Sequence, residues 1–215
     1  MSVIAKDVRS SNWDGDSGSS IVILLHGYGS NEQDLTGLIP ALGVGIPWAS
    51  LRAPIELGNG GAAWFTITTP GDPDAGPVEQ STAAIWDWID ANTLAGSKVI
   101  PVGFSQGGLM ATQLLRSRPE RVAATVVLGG FVLSGAQPGD PEIATGRPPV
   151  FWGRGAEDRV ITPQAVERTA AFLPEHARLI ERVYAGLAHG ISSSEVDDAR
   201  AFLSEAVGPA VLIAG

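Results

Sequence analysis

The chain has 215 residues, 44% of them hydrophobic and 17% charged, which supplies a packed core and excludes a disordered polypeptide. Its 14 basic and 23 acidic residues leave a net charge of −9, so no basic face is available for duplex nucleic acid or an anionic bilayer. With no cysteine, disulfides, thiolate metal sites and a cysteine nucleophile are excluded together.

The first residues, Met1 to Asp7, lack the basic start and apolar stretch of a secretory signal, and a cytoplasmic location is the expectation. Ile21–Leu25 is a continuous apolar run and predicts a strand buried on both faces. Ser30-x-x-Gln33 reads as a capping box that opens a helix, and residues 49–53 as a weaker strand. Residues 54–77, with Gly58, Gly60, Gly61, Pro70, Pro73 and Pro77, read as the longest irregular stretch, of a length that usually carries function. A helix follows over 78–91, with Ile85, Trp86 and Ile89 at helical spacing, then a strand over 99–104 and a helix over 109–115. The longest apolar run, 122–133, is broken by Thr125 and two glycines and is too short to span a bilayer; it contains a predicted strand at 123–128. A second irregular stretch covers 134–149, before strands at 150–152 and 179–183. Thr162-Pro163 is an N-cap with proline at the first helical position, and Ser192-x-x-Glu195 is a second capping box. Strands and helices in alternation predict an α/β fold: one domain over 1–215, with a mostly parallel central sheet, helices on both faces and no large cap domain.

Gly103-Phe-Ser-Gln-Gly107 fits G-x-S-x-G and sits where a strand turns into a helix, the context of a nucleophile elbow. A hydroxyl is a poor nucleophile at neutral pH and needs a base. Of the three histidines, His189 follows a late strand in the small-residue loop Gly186-Leu-Ala-His-Gly190, His26 reads as a buried residue fixing the loop after its strand, and His176 as a solvated bystander. The base needs a carboxylate, and Asp158, after the strand at 150–152, completes the order Ser, Asp, His; Glu157 and Asp140 compete for that role. Acyl transfer passes through an oxyanion, for which the Gln106 N–H comes with the elbow and the Tyr28 N–H with the glycine-flanked loop 25–29.

These stretches, with Arg52-Ala-Pro54, Trp64-Phe65 and Gly155-Ala-Glu-Asp-Arg-Val160, resemble the phospholipase/carboxylesterase branch of α/β-hydrolases, which includes bacterial carboxylesterases and acyl-protein thioesterases. The resemblance implies Ser105, Asp158 and His189 as the triad, Tyr28 and Gln106 as the oxyanion hole, and Trp64 and Phe65 in the wall of an acyl pocket, against the competing reading that these two simply pack under a long loop. The expected activity is that of a serine carboxylesterase on short-to-medium acyl esters, with no cofactor and no metal, a small-molecule substrate, no nucleic-acid partner and no stable membrane insertion. A homodimer is expected by analogy alone. An acyl-protein thioesterase or lysophospholipase is the alternative, and a non-catalytic binding protein on the same fold is the reading from another class.

Overall fold

The structure, a computed structural model, describes residues 2–13 and 20–208; the two ends of the expected domain, residue 1 and residues 209–215, lie outside the described residues. In chain order the strands are β1 (Asp7–Arg9), β2 (Ile21–Leu25), β3 (Trp48–Leu51), β4 (Ile55–Gly58), β5 (Gly61–Ala63), β6 (Val99–Phe104), β7 (Thr125–Leu128), β8 (Pro149–Gly155) and β9 (Arg178–Tyr184). The helices are α1 (Ile39–Leu42), α2 (Ala75–Asn92), α3 (Gln106–Ser117), α4 (Asp140–Gly146), α5 (Pro163–His176) and α6 (Ser193–Val207), with single 3-10 turns at Asp34–Leu38 and Pro119–Arg121.

Seven strands form one sheet in the order β1-β3-β2-β6-β7-β8-β9, parallel except for β1 at the edge, and β4 pairs with β5 in a separate hairpin. The predicted mostly parallel sheet is therefore present. Alternation along each strand divides the core in two. Ile21, Ile23 and Leu25 of β2 face one layer, shared with Ile85 and Ile89 of α2, Leu109 of α3 and Leu173 of α5. Val22 and Leu24 face the other, with Leu42 of α1 and Ala199, Phe202 and Leu203 of α6. Both faces are buried, which is why the strands read as unbroken apolar runs. Pro101 is tolerated in central β6 because it falls between the Val99–Val122 bridge and the β6–β7 ladder that starts at Val102 opposite Val126, where no ladder pair needs its N–H.

Three sequence expectations need correction. Residues 54–77 contain the β4–β5 hairpin and the first turn of α2, so the irregular part shrinks to 64–74; positive-φ glycines at 58 and 60 read as loop in the sequence but here turn a hairpin. Residues 134–149 contain α4. Ser30 does not cap a helix: its backbone is drawn into a bridge with Ala62, and Asn31 Oδ1 instead accepts the Gln33 N–H at 2.9 Å. The Thr162 cap forms as expected, Oγ1 accepting from Ala165 N–H; at Ser192 only half of the capping box forms, Oγ accepting from Glu195 N–H while the Glu195 carboxylate makes no return bond of ordinary geometry.

Candidate active site

The order of the strands reverses between β2 and β6, and the loops at their carboxyl ends open the crevice in which sites of this architecture are built. Ser105 follows β6 directly, at φ 55° and ψ −115°, a conformation that an L-residue holds only under constraint. Its N–H donates to Leu128 O of β7 at 2.9 Å, and its carbonyl accepts the Leu109 N–H of the first turn of α3 at 3.2 Å. The turn is tight enough that a β-carbon on Gly103 would strike the Gly107 carbonyl and one on Gly107 would strike the Leu25 carbonyl; both obstacles are backbone and cannot move aside.

Asp158 and His189 arrive from the ends of β8 and β9. Asp158 Oδ1 accepts the N–H groups of Val160 at 2.8 Å and Ile161 at 3.1 Å, which leaves Oδ2 aimed at His189 Nδ1, 2.8 Å away. His189 Nε2 lies 2.8 Å from Ser105 Oγ. Ala156 and Glu157 donate backbone N–H groups to Tyr184 O and Leu187 O, stitching the two loops together. The imidazole also lies against the Phe104 ring, with centroids 4.9 Å apart. Of the competing carboxylates, Glu157 is exposed and Asp140 is held by Arg116 in a two-pronged ion pair. Among the described residues no group of three or more His, Asp or Glu side chains is placed to hold a metal ion.

A cavity of about 440 Å³ opens on Ser105 and His189. Gly27, Tyr28 and Gln106 border it on the elbow side; Phe65, Ile67, Phe131 and Ile161 give it apolar walls. The N–H groups of Tyr28 and Gln106 have no acceptor among the described residues, as donors awaiting a ligand oxygen would be.

Trp64 is not in that wall. It is fully buried behind the elbow, its indole N–H donating to His26 O at 2.8 Å, because a ring of that size with one polar atom is most stable where the body is dry and the N–H is satisfied. His176 is not freely solvated either: it stacks on Phe172 at 3.8 Å and its Nδ1 meets the Phe172 carbonyl, well away from the site. His26 is buried and hydrogen-bonded, as the sequence suggested. Two contributions went unread in the sequence. The Gln106 side chain clamps the start of the cavity wall, accepting from Trp64 N–H and donating to Phe65 O, each at 2.8 Å. Arg168, from α5, donates to Val132 O and Gly71 O and ties down the wall's far end. The elbow motif points to the Gln106 N–H and not to its side chain, and nothing local marks Arg168, whose partners lie 36 and 97 residues away.

The profile of the phospholipase/carboxylesterase family matches residues 13–207. The chain belongs to this family. With membership in the phospholipase/carboxylesterase family come the α/β-hydrolase fold and carboxylic ester hydrolysis of the serine esterase type as its class of reaction. Among relatives, the carboxylesterase SOBER1 of Arabidopsis thaliana is 26% identical over 197 residues, covering 82% of this chain and 86% of its own. Acyl-protein thioesterase 1 of Cryptococcus neoformans is 24% identical over 227 residues, covering 88% and 93%. The crystal structure of the Bacillus cereus carboxylesterase superposes with a TM-score of 0.79 over 94% of each chain at 22% identity, a likeness of fold.

Proposed function

We propose that the chain is a single-domain serine carboxylesterase for short-to-medium acyl esters, working through an acyl-enzyme on Ser105 without metal or cofactor. The observation that carries this reading is the unbroken line of hydrogen bonds from Asp158 through His189 to Ser105, ending at the mouth of an apolar cavity. In the first half-reaction His189 Nε2 takes the Ser105 proton as Oγ attacks the ester carbonyl, and the Tyr28 and Gln106 N–H groups receive the oxyanion. Collapse of the tetrahedral adduct breaks the bond to the alcohol oxygen, which leaves with the proton from His189. Water, deprotonated by the same imidazole, attacks the acyl-enzyme and frees the acid and Ser105. Asp158 takes no proton in either half-reaction and stabilises the imidazolium through Nδ1.

The cavity lining supports a choice of acyl group. Its walls carry neither a cation for an acidic tail nor a carboxylate for an amine, which supports a neutral aliphatic or aryl acyl group. Ser105→Ala tests the proposal: hydrolysis of p-nitrophenyl butyrate should vanish, and unchanged turnover would overturn it. Relatives named acyl-protein thioesterase favour a second reading in which the scissile bond is a thioester; matched ester and thioester series of one acyl length decide between the two. A fluorophosphonate that fails to label Ser105 in folded protein would instead favour a binding protein on this fold. The cytoplasmic location belongs to the same proposal; no described helix is long and apolar enough to cross a membrane.

A further inference from the structure

His26 follows β2 directly, is fully buried, and lies behind the loop 26–29 rather than in the cavity. Its ring nitrogens have different partners. The Ala53 N–H donates to Nε2 at 3.1 Å, so Nε2 carries no proton. The ring proton is then on Nδ1, which donates to the Gly27 carbonyl oxygen at 2.7 Å. Burial holds the imidazole below its ordinary pKa and favours the neutral ring, whose tautomer the two partners then set.

The Gly27 carbonyl shares a peptide plane with the Tyr28 N–H. No described peptide is cis, and in a planar trans unit the N–H points opposite to the C=O. A carbonyl held on the buried side by His26 therefore turns the Tyr28 N–H outward, to the side where Gly27 and Tyr28 line the cavity with Ser105 and Gln106. A β-carbon on Gly27 would lie 3.2 Å from the Phe104 ring and 3.5 Å from the Ser105 β-carbon, so glycine lets the loop pass this close to the elbow. The Trp64 indole pins the His26 carbonyl, and the Ser30 N–H reaches the Gly27 oxygen at a longer 3.2 Å.

We infer that His26 is a positioning residue for the reaction: the proton on its Nδ1, rather than its bulk, aims the Tyr28 amide at the oxyanion. The inference rests on the reading of Tyr28 as an oxyanion donor. Because that bond forms in the transition state, disturbing it lowers kcat and leaves KM nearly unchanged.

Two substitutions separate the ring's two bonds. In His26→Asn the amide nitrogen takes the place of Nδ1 and donates to Gly27 O; in His26→Gln the longer side chain reaches the place of Nε2 and accepts from Ala53, with nothing left at Nδ1. His26→Gln should lose about 10- to 100-fold in kcat with KM within about twofold, and His26→Asn should stay within about fivefold of the parent. Full activity in the Gln variant overturns the inference, as does an Asn variant that falls as low as Gln. Nitrogen-15 spectra of the unmutated protein give a readout independent of variant folding: Nδ1 should be the protonated ring nitrogen of His26, and a proton on Nε2 would refute the assignment. Ser105→Ala is measured alongside. If it stays active, the reading of the whole site fails; if it is inactive while His26→Gln is unimpaired, the role of His26 alone fails.

Discussion

The elbow side of the cavity and the wall opposite it are held by different means. Ser105, Gln106 and Gly107 are buried, and backbone meets backbone there: Ser105 N–H on β7, Gly107 against the Leu25 carbonyl, the Gln106 amide across Trp64 and Phe65. The wall segment 66–70 is exposed, and its neighbourhood is tied by a side-chain bond from Thr68 to Asp74, one turn from Asp72 N–H to Thr69 O, and the Arg168 guanidinium on Gly71 O. The difference matches two jobs. The proton-transfer line proposed on the elbow side would tolerate errors of only about a few tenths of an ångström, which suits a place where nothing can yield; the proposed acyl-binding surface would gain from side chains that can adjust.

Substitutions on the two sides should therefore differ in size and in kind. The largest effect is expected at the acid: Asp158→Asn keeps the shape but presents the wrong hydrogen-bond partner to His189, and kcat should fall about 10⁴-fold, measured with a short p-nitrophenyl ester. A loss below tenfold would mean that another carboxylate serves the base. Next comes the elbow's packing. Gly107→Ala forces a β-carbon onto the Leu25 carbonyl and should cost about 3 kcal/mol or more of stability, seen as a melting temperature lower by about 6–12 °C; a variant as stable as the parent would show that the turn can yield after all.

Away from the cavity lining, the core contains one ill-matched acidic group. Glu195 of α6 is fully buried against Gly153 of β8 with neither carboxylate oxygen in a hydrogen bond of ordinary geometry, and burial pushes its pKa up to about 7, offset only in part by the Ser192 backbone. The sign follows from linkage. The native state keeps this proton where the unfolded chain, at its ordinary value of 4.5, has lost it, so the group's stabilising contribution is complete below that pH and disappears as pH rises toward 7. Glu195→Gln should flatten that decline and raise stability at pH 8 by up to about 3 kcal/mol. Denaturant melts at pH 4.5 and 8 check it, and an unchanged pH slope would place the titration elsewhere. The smallest effect belongs to the adjustable wall. Arg168→Gln should leave butyrate ester turnover nearly intact yet change the octanoate-to-butyrate ratio of kcat/KM about three- to tenfold. A constant ratio would show that the segment near Gly71 does not touch the acyl chain.

The alternating strands and helices, the strained serine turn, and the order of serine, aspartate and histidine were legible in the sequence because each is local: an apolar run, a glycine on either side of Ser105, a small-residue loop after a strand. So were the caps at Thr162 and Ser192, which act within one turn. Where local signals competed with distant partners, tertiary structure decided. Ser30 lost its cap to pairing with Ala62; Trp64 left the pocket wall to satisfy its indole on the His26 carbonyl; the glycines near residue 60 turned a hairpin instead of loosening a loop. Arg168 reached a carbonyl 97 residues away, and the proton on His26 was set by Ala53. Residue types and their spacing determined by themselves which chemistry this chain carries, since an elbow, an acid and a base each follow their own strand. The direction in which an amide points, and which side chain holds it there, depends on hydrogen-bond partners that meet only when the sheet closes, and the folded structure alone decided those.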